Sequence, residues 1–369
     1  MKVLLTGAHG FLGWHSRLRL HALTDHEVVP VGRDEWSDFG ALVADVDAVV
    51  HLAGVNRAES DDEVEGGNVT LAEDLAAAIT TEGRPLRVVY ANSIQAGNGT
   101  PYGRGKERAA LILREATEGA GGHLVDVLLP NIFGEHGRPR YNSFVATFVD
   151  ATVRGETPMI NDNTVGLLHV QDASQALIDG LSTDATTLSP EAESHGVQEV
   201  WDLLQEFHAS YVPIGEIPDL STKFRIDLFN TYRAALFPDH YPIALTPHSD
   251  PRGSFVETVR CRGGEGQTSF STTVPGITRG EHYHLHKIER FAVISGTGTM
   301  ELRKMFSDEV LTFPASGEQP VAIDMPVGWV HNITNTGEDT LLTQFWSHEL
   351  FRPETPDTFP EPVRPATDV

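Results

Sequence analysis

The sequence is poor in cysteine and has no long apolar run. Cys261 is the only cysteine among 369 residues, so an internal disulfide is excluded and a reducing cytoplasm is the location we expect. No apolar stretch reaches the ~18 residues that a membrane-spanning helix needs, so we expect no membrane partner. Residues 1–7 (MKVLLTG) are typical of the start of a folded domain and not of a signal peptide.

Basic residues are also scarce. The chain has 27 Lys and Arg against 52 Asp and Glu, which gives a formal net charge of −25 at pH 7. Because no block of Lys and Arg appears, nucleic acid is not an expected partner. Such a field repels anions, so a site for an anionic substrate has to be locally basic. Hydrophobic residues make up 40% of the chain, and its length suits about two domains.

The first part of the chain has the pattern of an α/β fold. Residues 1–180 alternate short apolar runs with amphipathic stretches such as 69–80 and 103–116, which we interpret as helices. The apolar runs predict buried parallel strands at residues 3–5, 28–31, 48–52, 88–90 and 125–129. This alternation predicts a Rossmann-like, doubly wound parallel sheet.

The pattern changes near residue 245. From 247 to 346 the chain has short strands separated by frequent Gly and Pro, which predicts an all-β cupin or jelly-roll domain. The predicted strands include 254–259, 268–273, 291–294, 298–302 and 341–345. Residues 210–245 are interpreted as a bridge with one helix around 227–236, and the proline-rich tail as an extended segment packed outside. We therefore predict a first domain at 1–245, including the bridge, and a second at 246–369.

A glycine pattern follows the first predicted strand. The spacing Gly7-x2-Gly10-x2-Gly13 lies where that strand ends and a helix begins. Glycines allow the backbone to approach a pyrophosphate, and the helix N-terminus favours its negative charge. The alternative is a tight turn without a ligand. The predicted cofactor-binding residues here are Gly7, Gly10, Phe11, Leu12 and Gly13.

The end of the second predicted strand bears on the choice of dinucleotide. Sheets that bind NAD usually have a carboxylate there, which binds the 2′-hydroxyl of the ribose. This chain has Gly32 followed by Arg33, which suits a 2′-phosphate and predicts NADP(H). Asp34 comes next and opposes this reading, and Arg33 could also be an ordinary surface charge.

A serine, a tyrosine and a lysine form a candidate catalytic set. Tyr102 and Lys106 are four residues apart and share one face of a predicted helix, and Ser93 lies at the end of a predicted strand. The lysine cation can lower the pKa of the phenol, which could then exchange a proton with a carbonyl or hydroxyl group. Ser93 can hydrogen-bond the same oxygen. The alternative is an exposed Tyr–Lys pair on a helix.

The second predicted domain has the residues of a metal site. Its two motifs are Gly276-x5-His282-x-His284-x4-Glu289-x6-Gly296 and Pro326-x-Gly328-x2-His331-x3-Asn335. His282 and His284 point to one face of a strand, which Glu289 and His331 can reach from neighbouring strands of a barrel. Three imidazoles and a carboxylate suit Zn²⁺, although Fe²⁺, Mn²⁺ or Ni²⁺ fit the same ligand types. The alternatives are a jelly roll without metal and a metal that is purely structural.

These motifs resemble the extended short-chain dehydrogenase/reductase family. The segment His51-Leu52-Ala53-Gly54 and Asn68 are similar to its nicotinamide-side elements, and residues 130–134 (PNIFG) to its nicotinamide-and-sugar loop. Many members have an arginine shortly before that loop, where this chain has Leu128 and Leu129. The resemblance adds these cofactor-binding residues to the prediction: Leu52, Ala53, Gly54, Asn68, Pro130, Asn131 and Phe133.

Over essentially its whole length, the chain resembles the CapF-type family of two-domain capsular polysaccharide enzymes. The similar segments include 10–14 (GFLGW), 51–57 (HLAGVNR), 141–143 (YNS), 252–257 (RGSFVE), 279–284 (RGEHYH) and 326–333 (PVGWVHNI). The resemblance implies a UDP-linked 2-acetamido-2,6-dideoxy-4-ketohexose, whose C3 is epimerised by a zinc cupin. The reductase domain then reduces C4 with NADPH, which gives UDP-2-acetamido-2,6-dideoxy-L-talose on the route to N-acetyl-L-fucosamine. It also implies a homodimer.

The predicted substrate contacts come from both domains. They are Asn131, Asn142, Ser143 and Arg252. Arg252, with Asp250 and Glu257, resembles the entry strand of sugar-nucleotide 3,5-epimerases and could hold a phosphate, although a structural ion pair is the alternative.

Three functions compete at this stage. The first is the bifunctional epimerase and reductase. The second is a nucleotide-sugar 4-ketoreductase, similar to 4-dehydrorhamnose reductases, whose cupin serves only structure or dimerisation. The third is a sensor that binds NADP(H) without catalysis, against which the Tyr102–Lys106 pair argues.

Overall fold

The computed structural model describes residues 1–161 and 163–365, without the side chain of Asp38. The chain forms two compact units. The first consists of Met1–Thr147 and Ile160–Gln198, and the second of Phe148–Met159 and the chain from Glu199 onwards. The predicted boundary at residues 245 and 246 remains a prediction. In the described ranges, no helix is both long and apolar enough to cross a membrane.

The chain up to residue 196 alternates strands with helices, as its sequence pattern predicts. In chain order the elements are β1 (Lys2–Thr6), α1 (Phe11–Leu23), β2 (Glu27–Val31), a 3-10 helix (Glu35–Asp38), α2 (Phe39–Ala44), β3 (Ala48–His51), α3 (Asp61–Glu82), β4 (Arg87–Ser93), α4 (Pro101–Gly119), β5 (His123–Leu129), β6 (Asn131–Phe133), α5 (Phe144–Arg154), β7 (Thr164–His169), α6 (Val170–Asp179), β8 (Thr187–Leu188) and β9 (Glu193–Gly196).

The first unit is built around a six-stranded parallel sheet in the order β2-β1-β3-β4-β5-β8. Adjacent side chains of a strand pack into different hydrophobic clusters. Leu4 belongs to one cluster and Leu5 to another, and both are fully buried. Burial on both faces explains why these strands are continuous apolar runs and not alternating ones. The sheet confirms the predicted Rossmann-like fold class.

Helix α4 begins at a well-defined point just after β4. The Thr100 hydroxyl accepts a hydrogen bond from Gly103 N at 3.1 Å. Pro101 occupies the first helical position, where a backbone N–H would have no acceptor within the helix. This start fixes the first turn of α4 beside the end of β4. Sequence and cap together therefore bring Tyr102 close to Ser93.

The rest of the chain is mostly β-structure after two helices. The elements are α7 (Val197–Ile214), β10 (Ile217–Asp219), α8 (Lys223–Leu236), β11 (Ile243–Ala244), β12 (Pro247–Asp250), β13 (Gly253–Val256), β14 (Cys261–Gly263), β15 (Gln267–Thr273), β16 (Thr278–Tyr283), β17 (Glu289–Ser295), β18 (Thr297–Lys304), β19 (Val310–Ser316), β20 (Val321–Met325), β21 (Trp329–Asn335), β22 (Leu341–Ser347) and β23 (Phe359–Pro360).

Two five-stranded antiparallel sheets form most of the β-structure of the second unit, to which the pairs β10-β14 and β12-β13 are added. Their strand orders are β11-β20-β17-β22-β15 and β19-β18-β21-β16-β23. They confirm the all-β class predicted for this part of the chain. The predicted strand at 254–259 is shorter in the structure and ends at Val256.

The bridge and the tail contribute more to the second unit than the sequence predicted. The bridge region contains the C-terminal end of α7 as well as all of α8. The Tyr211 hydroxyl of α7 donates to the buried carboxylate of Asp324, which also pairs with Arg290. The tail is extended, as predicted, but β23 pairs with β16 and the side chain of Val363 is fully buried. The tail is therefore part of the β-structure and is not packed outside it.

Candidate functional site

The glycine loop is tight enough to require glycine at two positions. Gly7 has a φ of 67°, and a Cβ there would lie 2.9 Å from Ala53 N. A Cβ on Gly13 would lie 2.0 Å from Gly7 O, so a side chain is excluded. Gly10, which has no side chain to offer as a cap, precedes α1. The loop thus keeps the N-terminus of α1 close to the segment after β3, an arrangement suited to a pyrophosphate.

Thr6 and His51 hold this loop together. The sequence analysis gave Thr6 no role and included His51 only as part of the segment 51–54. Thr6 Oγ1 accepts hydrogen bonds from Leu52 N and Ala53 N, both at 3.1 Å, and lies 2.9 Å from His51 Nδ1. Burial, with a smaller effect of Lys106, lowers the pKa of His51 to about 3. The neutral ring therefore serves as a fixed hydrogen-bonding partner. Its place at the end of β3 beside Thr6 is visible only once the strands pair.

Asn68 acts on the same segment from α3. Its Nδ2 donates to Val55 O at 2.7 Å and to Val64 O at 2.8 Å, while its Oδ1 accepts from Val55 N at 3.2 Å. The side-chain amide of Asn68 thus hydrogen-bonds the backbone. Any effect of Asn68 on a bound cofactor would be indirect, through the position of residues 52–55.

The end of β2 carries a carboxylate that the sequence did not place there. Glu35 Oε2 accepts a hydrogen bond from Gly32 N at 2.8 Å, and that bond is the largest cause of the lowered pKa of Glu35. Arg33 is exposed. A positive and a negative side chain therefore both lie at the strand end that recognises the ribose.

The structure brings the candidate catalytic residues together around the end of β4. Burial raises the pKa of the Tyr102 phenol, and a hydrogen bond with Ser93 opposes this rise. The sequence argument gave the dominant influence to Lys106, but here burial outweighs the other effects on the phenol. Tyr102 is consequently protonated at neutral pH, which is the state of a proton donor.

Lys106 is anchored inside the first unit. Its Nζ donates to Ala91 O at 2.6 Å and lies 4.2 Å from the centroid of the Tyr90 ring. Burial lowers the pKa of Lys106 to about 7, and the nearby charge of Asp126 works against that shift. The exposed Tyr–Lys pair considered as an alternative is therefore absent, because Lys106 is almost fully buried.

The other predicted binding residues of the first unit differ in their exposure and in their contacts. Asn131 is exposed on β6 and donates to Gly166 O at 3.3 Å, whereas Phe133 is buried with its ring 5.2 Å from that of His169. Ser143 Oγ accepts from Ala146 N at the start of α5, and Asn142 is exposed. Binding roles for these residues, and for Phe11, Leu12 and Pro130, remain predictions.

The four predicted metal ligands form one cluster. The ligand atoms of His282, His284, Glu289 and His331 all lie within 4.8 Å of one another. Glu289 Oε2 is 3.1 Å from His284 Nε2 and 3.5 Å from His331 Nε2. A bulge in β16 between Gly280 and His282 sets His282 opposite His331. Bulges of this kind often redirect a side chain towards a site.

Each imidazole of the cluster is oriented by a backbone carbonyl. His284 Nδ1 donates to Asp357 O, His331 Nδ1 donates to Trp329 O at 3.2 Å, and a ring N–H of His282 donates to the backbone of Gly280. In a neutral ring held in this way, the other nitrogen carries a lone pair that is suited to a metal ion. Metal-binding histidines are commonly oriented in this way.

The charges of the cluster fit a cation. Burial, together with the other two histidines, lowers the pKa of His282 to about 3, so that this ring is neutral. Burial raises the pKa of Glu289, but contact with His284 and His331 outweighs it, and the carboxyl remains ionised. His331 Nε2 is buried and has no hydrogen-bond partner among the described residues, which is costly unless another group satisfies it. These features fit one divalent ion with nitrogen and oxygen ligands.

Arg252 lies in the hairpin formed by β12 and β13. Its side chain is 90% exposed and pairs with Asp250, which it contacts through Nε at 3.1 Å. The structure thus contains the ion pair that was one alternative for this residue, and its predicted contact with a phosphate remains a prediction.

Two family descriptions match the chain. The NAD dependent epimerase/dehydratase family matches residues 3–191, and the polysaccharide biosynthesis C-terminal domain matches residues 248–359. The first match contains Ser93, Tyr102 and Lys106, and the second contains all four residues of the metal-ligand cluster. Both candidate sites therefore lie within recognised domains.

Two relatives extend over nearly the entire chain. The UDP-2-acetamido-2,6-beta-L-arabino-hexul-4-ose reductase of Pseudomonas aeruginosa is 36% identical over 366 residues, which cover 97% of this chain and 98% of that protein. The capsular polysaccharide assembling protein CapF from Staphylococcus aureus is 32% identical, with a TM-score of 0.63 over 98% of this chain and 100% of that one. This chain belongs to the CapF-type family. The resemblance found in its motifs is thereby confirmed.

A shorter stretch of this CapF-type chain has a further relative. The spore coat polysaccharide biosynthesis protein SpsL of Bacillus subtilis is 27% identical over 122 residues, which cover 31% of this chain and 81% of that protein. Membership of the NAD dependent epimerase/dehydratase family supports a nicotinamide cofactor, in agreement with the glycine loop.

Proposed function

We propose that this CapF-type protein is a bifunctional nucleotide-sugar enzyme. Its substrate is a UDP-2-acetamido-2,6-dideoxy-4-ketohexose, which the β domain epimerises at C3 and the first domain reduces at C4. The product is UDP-2-acetamido-2,6-dideoxy-L-talose, a precursor for capsular polysaccharide. The observation that carries this proposal is the presence, in one chain, of a Ser–Tyr–Lys set and a cluster of three histidines and a glutamate. The substrate is taken from the name of the relative that is 36% identical.

In the reductase domain, the chain supplies a proton and holds the reacting oxygen. A bound nicotinamide supplies the hydride that is added to C4 of the ketone. Tyr102, which is protonated, gives its proton to the oxygen at C4 as negative charge develops there. Ser93 hydrogen-bonds the same oxygen, and the buried ammonium of Lys106 stabilises the phenolate that remains.

In the β domain, the chemistry requires removal and return of the proton at C3. The C4 ketone makes this proton acidic, because the negative charge left at C3 spreads to the ketone oxygen. A divalent ion bound by His282, His284, Glu289 and His331 supplies electrostatic stabilisation for that charge.

The preferred cofactor in this proposal is NADPH. Arg33 at the end of β2 provides a positive charge for a 2′-phosphate. Glu35 lies at the same strand end and opposes that preference. The negative charge of Glu35 is therefore expected to weaken the attraction of Arg33 for a 2′-phosphate. We expect the protein to prefer NADPH over NADH without using it exclusively. We further propose that the protein acts in the cytoplasm as a homodimer.

The second candidate is a 4-ketoreductase whose metal is structural. It is favoured by the same cluster, since Glu289 belongs to one five-stranded sheet and His282 and His331 to the other, so that an ion would join the two sheets. The sensor is disfavoured, because its function has no need for Tyr102 beside Ser93 and a buried Lys106.

A direct assay tests the reductase half of the proposal. The purified protein is mixed with the 4-keto nucleotide sugar and NADPH, and oxidation of NADPH is followed by absorbance. Consumption of NADPH that depends on the ketone, with the talo configuration found in the product by NMR, is the expected result. UDP-N-acetylglucosamine, which has a hydroxyl at C4, serves as the control and should cause no oxidation. Absence of oxidation with the ketone would contradict the proposal.

A further inference from the structure

A buried arginine on α8 contacts the two segments that flank the metal-ligand cluster. Arg233 is 1% exposed, and its guanidinium donates to Met325 O at 2.6 Å and to Lys287 O at 3.5 Å. Its Nε donates to Asn230 Oδ1 at 2.7 Å. Asn230, which is also 1% exposed, donates through Nδ2 to His286 O at 2.8 Å. The two side chains therefore act as one hydrogen-bonded unit.

The carbonyls that this unit binds belong to the framework of the metal ligands. His286 and Lys287 lie in the turn that connects His284 to Glu289. Met325 is the register partner of Glu289 in the pairing of β17 with β20. Arg233 and Asn230 thus fix the turn on one side of Glu289 and the strand on its other side.

These carbonyls are in need of such donors. Lys287 and Met325 are buried, and a buried backbone carbonyl that lacks a hydrogen bond destabilises the fold. The guanidinium has five N–H donors in a rigid plane, so that it can bind several carbonyls at fixed separation. A lysine ammonium has three donors on a single nitrogen and lacks this rigid plane, so it does not hold carbonyls at the same fixed separation.

We propose that Arg233 and Asn230 are positioning residues for the metal site, which hold Glu289 at the correct distance from His284 and His331. This inference rests on the proposed metal site. It also gives the bridge a function. Helix α8 precedes the β-rich part of the chain in sequence, yet its side chains hydrogen-bond the backbone next to the metal ligands. Such outer partners commonly affect metal affinity by about 10- to 100-fold.

The same helix offers a matched control. Arg225 also lies on α8 and also binds the backbone, since its Nε donates to Asp219 O at 2.6 Å and its Nη2 pairs with Glu206. These contacts involve neither the turn after His284 nor Met325. Arg225→Met should therefore perturb α8 without disturbing the metal ligands.

The test measures zinc affinity by competition with a chelator in full-length protein, for the wild type, Arg233→Met, Asn230→Ala and Arg225→Met. Melting temperatures of the metal-free proteins are recorded in parallel. We expect Arg233→Met and Asn230→Ala to weaken zinc binding by about 10-fold or more, and Arg225→Met to leave it within about 2-fold of wild type. Asn230→Ala keeps the test valid if Arg233→Met does not fold.

The outcomes separate this inference from the proposed function. If the wild type binds no zinc, the proposed metal site is refuted together with the positioning role. If the wild type binds zinc and both variants bind it equally well, only the positioning role is refuted, even where the melting temperature has fallen. Weaker binding in Arg225→Met to the same extent would also refute it, because the effect would then follow from loss of α8 packing alone.

Discussion

The Nε2 atom of His331 lies 3.5 Å from the Oε2 atom of Glu289, although the two residues belong to different five-stranded sheets. The nitrogen is buried without a hydrogen-bond partner in the described part of the chain, and the carboxyl is ionised. A cation between the two atoms would satisfy both groups and join the sheets. Metal binding and stability of the β domain should therefore be coupled.

Removal of the metal should destabilise the β domain selectively. Elemental analysis should find one divalent ion per chain, most simply zinc, and His284→Ala should lose it, since His284 Nε2 is 3.1 Å from Glu289. At a zinc concentration one hundred times the Kd, the stabilisation amounts to about 2.7 kcal/mol. Calorimetry with and without chelator measures this difference. A wild type whose melting is unaffected by chelator, and which contains no metal, would contradict the site.

Tyr102→Phe should abolish reduction without unfolding the protein. The change removes only the hydroxyl that hydrogen-bonds Ser93, while the ring can keep its packing. Loss of a general acid commonly lowers the rate by about 10²- to 10⁴-fold. Reduction of the ketone by NADPH is measured alongside cofactor binding, which should be unchanged. Near-normal turnover by this variant would show that another residue donates the proton.

Cofactor preference should respond to Arg33 and Glu35 in opposite directions. Arg33→Ala should raise the KM for NADPH and leave that for NADH nearly unchanged, because a charge-assisted contact of this kind contributes about 1.5–3 kcal/mol. Glu35→Gln should favour NADPH, since it removes a negative charge held at Gly32. Steady-state kinetics with both cofactors provide the comparison. Equal use of the two cofactors by the wild type would contradict the predicted preference.

The buried ring of His51 should make the protein less stable in acid. Burial lowers its pKa from 6.5 to about 3, so between these values the unfolded chain binds a proton that the folded chain does not. The free energy of unfolding should therefore fall as pH drops below 6.5, by up to about 1.4 kcal/mol per pH unit for this one proton. Above pH 6.5 this group contributes no slope.

His51→Gln isolates that contribution. Urea unfolding of the chelator-treated protein at several pH values between 7.5 and 5 should give a smaller slope for this variant than for the wild type. His248→Gln is the control, because His248 is exposed, and its slope should equal that of the wild type. Identical slopes for all three proteins would rule out His51 as a source of the acid sensitivity.

Local patterns in the sequence were sufficient for the sheet strands and for the grouping of the four candidate metal ligands. Val49, Val88 and their neighbours form uninterrupted apolar runs because both faces of a parallel sheet are buried. The spacing of His282, His284, Glu289 and His331 is likewise set locally, by the strands in or beside which these residues lie. Patterns of this kind are set by elements that repeat regularly, and they predicted the fold class correctly.

Features that depend on contacts between distant residues could not be predicted. The pKa of Tyr102 depends on how deeply α4 buries it, which the spacing to Lys106 does not encode. The support that Arg233 gives to Met325 spans 92 positions of sequence. Each of these features depends on tertiary contacts between elements that are separate in the sequence.

The central claim, that one chain both epimerises C3 and reduces C4, is tested most directly by hydrogen exchange at C3. The metal-loaded protein is incubated with the 4-keto nucleotide sugar in D₂O without NADPH, and deuterium at C3 is measured by NMR or mass spectrometry. We predict deuterium at C3 with the wild type and with Tyr102→Phe, and none with His284→Ala. Reduction of a substrate that already has the product's configuration at C3 should survive in His284→Ala. Absence of deuterium at C3 with the wild type, in protein that still reduces the ketone with NADPH, would contradict the claim and leave a single-activity reductase with a structural metal.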